Sequence, residues 1–147
     1  MAKFIYRMQS ILNIKEKLEE QAKNEFAQAR LRVDEEYAKL DSIIERRHVY
    51  EEEGRTLRMQ VLDRQKLSFN QFTIDRIDEA IERQKEAIAE AEKALERARN
   101  NLTKAMQESQ VQNKLKEKAF DQFKKDLVAQ EMKEVDELTS YTYGQKK

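Results

Sequence analysis

"IDRIDEAIERQKEAIAEAEKALERARNNLTKA", residues 74–105, places an apolar side chain alternately three and four residues after the last. Positions 74, 77, 81, 84, 88, 91, 95, 98, 102 and 105 read Ile, Ile, Ile, Gln, Ile, Ala, Leu, Ala, Leu and Ala. Unbroken alternation of this kind is the heptad signature of helices packed knobs-into-holes. Ala91, Ala98 and Ala105 share one heptad position, so a partner helix can approach closely there. A helix with a single apolar stripe must bury it against something. The fold turns on where that partner lies.

Upstream, a second stripe runs through 4, 8, 11, 15, 18, 22, 26, 29, 33, 37, 40, 44 and 47, apolar or aromatic at all but Lys15 and Arg47. Its mean step of about 3.6 residues holds one face of an α-helix. Consecutive steps of four at 18–22–26 and 29–33–37 predict a locally relaxed supercoil. Beyond Met106 the phase blurs through "QESQVQNKLKEK", a polar section that is either a weak point or a stretch of helix without a partner. It returns at Phe120, Phe123, Leu127, Glu131, Val135 (or Glu134) and Leu138.

Pairing the two stripes within one chain gives an all-α fold, a long two-helix antiparallel coiled-coil hairpin. Arm one is expected over 4–53, an irregular bend over 54–70, and arm two over 71–140, followed by a short flexible tail, all in one elongated domain. At 1.5 Å per residue the arms would span about 70 Å and about 100 Å. The expected core is Ile11, Leu18, Phe26, Val33 and Leu40 against Ile81, Ile88, Leu95 and Leu102. Gly54 reads either as a C-cap or as one costly glycine inside a continuous helix. Ser68 and Asn70 are candidate caps, and Asp75 and Asp78 suit an early helical turn. Tyr141 and Tyr143 fall beyond the last good stripe position and read as a frayed end. A heptad stripe does not distinguish a partner in the same chain from one in a second copy, so a homodimer competes with the hairpin.

Composition agrees with long helices. The 147 residues include no Pro and two Gly, and 39% are charged. A disordered chain would share the charge but lose the regular stripe and the aromatics. The 29 basic and 29 acidic residues balance, which speaks against a nucleic-acid or lipid coat. Local bias persists at the start, where Lys3, Arg7, Lys15 and Lys17 face Glu16 alone. Without cysteine there is no disulfide or thiol chemistry. No secretory signal and no run of about 18 apolar residues is present. A cytoplasmic chain is expected.

Catalysis is not supported. A two-helix hairpin offers no concave, preorganised site, and no phosphate-binding loop occurs. His48, beside Arg47 and near Glu45 and Glu51, reads as an ordinary solvated histidine, so neither metal nor cofactor is expected. Arg46, Arg47, Arg55, Arg58, Arg64 and Lys66 make a basic region around the bend, but Glu51, Glu52, Glu53 and Asp63 interrupt it. Recognition of protein surfaces remains. Phe4, Met8 and Ile11 either begin the core seam or anchor a partner, with Tyr6 and Arg7 off the seam. Phe69 and Phe72 either pack the bend onto itself or anchor a partner.

Three segments, "FIYRMQSILNIKEKLEEQAKNEF", "SFNQFTIDRIDEAIERQ" and "AQEMKEVDEL", occur in an order that resembles the flagellar FliJ family, soluble components of the flagellar type III export apparatus. Stalk proteins of the injectisome are its nearest look-alikes. The resemblance implies a non-enzymatic central stalk of the flagellar export ATPase hexamer. Such a stalk promotes ring assembly and activity, reaches the cytoplasmic part of the export gate, and assists export chaperones. It also implies a cytoplasmic protein held peripherally at the inner membrane at the flagellar base, with no nucleic acid and no direct membrane insertion. By the same resemblance, Phe72 belongs to the gate-contacting patch, and Phe69, three residues before it, is a candidate for the same contact as its aromatic neighbour. The family's aliphatic position one turn later is Arg76 here, with Ile77 the nearest substitute. The ring-facing part corresponds to Phe4, Tyr6, Arg7 and Met8 together with Val135 and Leu138.

Overall fold

A computed structural model, describing residues 2–145, consists of α1 (Gln9–Met59) and α2 (Arg64–Gln145). The helices are antiparallel and form a hairpin of coiled-coil type. Chain contacts divide it into two units, one of Ala22–Leu102 and one of Met1–Gln21 with Thr103–Lys147.

In the first unit the helices meet in pairs whose sequence separation shrinks toward the turn. Tyr37 meets Glu92 across 55 residues, Glu36 meets Gln84 across 48, Arg47 meets Asp78 across 31, and Tyr50 meets Asn70 across 20. The seam of α1 runs 22, 26, 29, 33, 36, 40, 43, 47, 50, 54 and 57; that of α2 runs 67, 70, 74, 77, 81, 84, 88, 91, 95, 98 and 102. Every one of these residues is buried or half-buried. Steps of three and four alternate without a slip on both helices, so the relaxed supercoil expected from steps of four does not occur here. Ala22, Val33, Ile74, Ile77, Ile88 and Ala91 are the most enclosed apolar side chains of this unit. Burying a side chain such as Ile88 contributes about 1.5–3 kcal/mol.

The reversal is tighter than the sequence suggests. Only residues 60–63 interrupt the helices, so 54–59 belongs to α1 and 64–70 to α2. Asp63 caps α2, its Oδ1 accepting from the backbone N–H groups of Gln65 at 3.0 Å and Lys66 at 3.2 Å. Neither Ser68 nor Asn70 serves as a cap. Gly54 sits inside α1 without a positive φ, and its role is steric. A Cβ there would lie 2.6 Å from Asn70 Oδ1. The bare backbone admits the Asn70 side chain, whose Nδ2 donates to the Tyr50 carbonyl at 2.9 Å.

The second unit joins the N-terminal segment to the later part of α2. Residues 2–8 precede the first helix, whose expected start was residue 4. The Phe4 ring reaches Phe120 at 5.1 Å and Phe123 at 5.5 Å between centroids. Leu12, 2% exposed, is the most enclosed side chain in the protein's core. Ile11 and Leu18, expected in the core, are 37% and 44% exposed. The seam takes Leu12 and Glu19 instead, because α1 keeps the strict alternation here too. Opposite, the seam of α2 continues through Ala105, Ser109, Gln112, Lys116, Ala119 and Phe123. The blurred phase is thus a polar seam in the region facing α1, crossed by a Lys15–Glu108 ion pair at 3.0 Å. From Val128 to Gly144 every residue of α2 is exposed. Tyr141 and Tyr143 are helical, not frayed; residues 146–147 of the expected tail lie outside the described residues.

Candidate functional site

Two surfaces and a polar interior carry whatever recognition this molecule performs. The first surface surrounds the turn. Phe69 and Phe72 point outward, 68% and 57% exposed, as do Met59, Val61 and Leu62. The two rings therefore do not pack the bend onto itself. The Arg76 guanidinium lies 5.5 Å from the Phe72 ring centroid, a cation–π contact that orients the ring. Ile77 is different. At 6% exposure it belongs to the seam, and a partner cannot reach it while the hairpin is closed.

The second surface lies in the unit of the two chain ends. Phe4 is half-buried against Phe120 and Phe123, and the Tyr6 hydroxyl is enclosed without a hydrogen-bond partner. Both side chains are committed to the fold. Arg7 and Met8 are exposed. Val135 and Leu138, 59% and 66% exposed, share a shallow groove on α2 with Thr139, Thr142 and Tyr143. Glu131, Glu134, Asp136 and Glu137 are its acidic neighbours along the sequence, with Lys133 among them.

The polar interior fixes how the helices align. Gln84 Nε2 donates to the Glu36 carboxylate at 2.6 Å and to the Glu36 carbonyl at 2.8 Å. Lys39 adds an ion pair at 3.2 Å. The Gln84 amide, followed by Lys39, holds the Glu36 carboxyl below its ordinary value, outweighing the opposite effect of burial. The Tyr37 hydroxyl donates to Glu92 at 2.5 Å, and that carboxylate raises the phenol's pKa. Arg47 bridges Asp78 and Glu51, and Asp78 raises its pKa further. These pairs lie between or along the helices and set their register; Glu36 also borders an open groove with Ala29, Arg32, Ala87, Glu90, Ala91 and Ala94. Among the described residues no group of three or more His, Cys, Asp or Glu could hold a metal ion. His48 is exposed beside Glu51 at 3.7 Å.

The sequence reading missed Glu36 with Gln84, and Gly54 with Asn70. A glutamine on an otherwise apolar heptad stripe, position 84, was the available signal for the first. The second pair had none, since the two residues meet only after the chain reverses.

A long antiparallel helical hairpin with exposed aromatic and aliphatic ends defines a class of protein that works through its surfaces. The model of the family described as flagellar FliJ protein matches residues 4–147, and the chain belongs to that family. Its fold is similar to that of a putative YscO homolog from Chlamydia trachomatis, with a TM-score of 0.80, 24% identity and 96% of each chain covered. No curated protein matches it. No helix among the described residues is long and apolar enough to cross a membrane.

Proposed function

We propose that this chain is the central stalk and adaptor of the flagellar type III export ATPase ring, acting in the cytoplasm at the flagellar base. In this reading it promotes ring assembly and hydrolysis, links the ring to the cytoplasmic part of the export gate, and assists the cycling of export chaperones. The observation that carries the reading is family membership over 4–147 together with a hairpin whose two helices are paired by an unbroken heptad seam. Within Ala22–Leu102 a seam of this kind holds the two helices in register, as a stalk needs. Hydrolysis belongs to the ring. The stalk alters it only by binding some ring states more tightly than others.

Arg7, Met8, Val135 and Leu138 are the accessible members of the ring-facing set, whereas Phe4 and Tyr6 act by holding the N-terminal segment against α2. Phe69 and Phe72 are the gate-facing pair, without Ile77. A homodimeric tether is disfavoured because the main apolar seam is consumed within the chain.

The test mixes the full chain with the export ATPase. Co-purification with the hexamer and faster ATP hydrolysis are expected; a hexamer that neither binds the chain nor changes its rate refutes the stalk. In parallel, Phe72→Ala should weaken binding to the cytoplasmic part of the gate with helicity unchanged. Equal affinity would remove Phe72 from that contact.

A further inference from the structure

Beside Phe69 and Phe72, which the stalk reading gives to the gate, the turn carries apolar and basic side chains that helix packing does not use. Val61 is 95% exposed, Met59 81% and Leu62 69%. All three stand at or beside the four-residue interruption between the helices, where no other part of the described chain covers them. Around them are Arg58, Arg64 and Lys66, none of which makes an ion pair with a described residue. Arg55 pairs with Glu52 at 3.5 Å. The only acidic residue between Gly54 and Phe72 is Asp63, and its carboxylate is occupied in capping α2.

Two of these cations are placed against local electrostatics. Arg64 and Lys66 stand in the first turn of α2, where the helix dipole favours anions. The arrangement costs helix stability and gains nothing inside the molecule. An anionic partner outside the molecule would compensate both charges. The apolar part narrows the choice. Four residues alone offer less than the roughly 800 Å² per partner of a standard protein interface. A lipid surface closes around a small convex apolar tip, which a rigid protein surface does only with a preformed socket.

We propose that the turn is a peripheral membrane contact, seated in the headgroup region of an anionic bilayer. Met59, Val61 and Leu62 enter the interface between headgroups, while Arg58, Arg64 and Lys66 pair with lipid phosphates. This is shallow contact, not a span. It goes beyond the stalk reading and gives the expected peripheral association with the membrane a place on the molecule, the turn, without a membrane span.

The test is co-sedimentation of the full chain with vesicles of phosphatidylglycerol and phosphatidylcholine, beside vesicles of phosphatidylcholine alone. Association with the anionic vesicles only, weakening as salt rises, is expected. Each basic residue near such a surface contributes about fivefold in affinity, so Arg64→Gln with Lys66→Gln should weaken binding by about 25-fold. Val61→Ser with Leu62→Ser should weaken it by about tenfold or more; both residues are solvent-exposed, and circular dichroism should be unchanged. Equal binding to neutral vesicles, no binding to anionic ones, or loss in only one of the two double variants overturns the proposal. Binding of the turn to an acidic protein surface without vesicle association also overturns it, and assigns these cations to a protein partner.

Discussion

Replacing Gly54 by alanine separates two opposite effects. In an isolated helix the change stabilises by about 1 kcal/mol, the usual advantage of alanine over glycine. Here the new Cβ would stand 2.6 Å from Asn70 Oδ1 and 3.3 Å from its Cγ, so the amide has to move. Asn70 is only 5% exposed and donates to the Tyr50 carbonyl at 2.9 Å. Displacing it loses a hydrogen bond of about 1 kcal/mol and leaves a buried amide short of partners, for a further 1–3 kcal/mol or so. Gly54→Ala should therefore destabilise by about 1–3 kcal/mol after the propensity gain is subtracted. Asn70→Ala removes the obstruction. In that background the same alanine should stabilise by about 1 kcal/mol, reversing its sign. Urea unfolding of the four proteins, followed by far-ultraviolet circular dichroism, measures the cycle. If Gly54→Ala stabilises the parent as much as it stabilises the Asn70→Ala variant, the glycine is not there to admit the amide.

Leu12 and Ile11 are sequence neighbours on opposite sides of the seam boundary. Leu12→Ala should cost about 2–5 kcal/mol and Ile11→Ala about 1 kcal/mol, read by hydrogen exchange of the α1 amides up to Gln21; equal costs would return Ile11 to the core. The Glu36 carboxyl titrates below its ordinary value of 4.5 because of Gln84 and Lys39. The stability it contributes is thus complete above about pH 4.5 and disappears as the pH falls through the lowered folded-state value. Glu36→Gln should flatten the pH dependence of stability in that acidic window, and an unchanged slope would show that the carboxylate is not held there.

The hairpin was legible because residues 74–105 carry a strict repeat with no competing face. The register of α1 was not. Ile11 precedes Leu12, and Ile44 follows Ile43, so two adjacent positions offer equal apolar choices. At 18–19 and 36–37 the more apolar choice, Leu18 and Tyr37, is the wrong one. Seam positions are settled by the strict phase of α2, which forces Glu19 and Glu36 inward. Gly54 and Asn70 misled in the same way. Both types usually mark helix ends, and only contact between them explains their place inside helices. At the surfaces, Phe69 and Phe72 were recognisable as aromatics outside the stripe. Ile77 lies on the stripe, and its burial followed from the period that identified arm two.

Uninterrupted phase on both helices limits how such a chain can change in length. One inserted residue within α1 would turn everything beyond it by about 100°, carrying Leu12 to the outside or Val33 away from its neighbours. A loss of seven residues from one helix would keep the faces aligned but shift every cross-helix pair farther from the turn than the loss, so a loss between Glu36 and the turn would part Gln84 from Glu36. Related chains should therefore differ in length through matched heptads on both helices, in the turn at 60–63, or past Leu127, where no opposing helix keeps count.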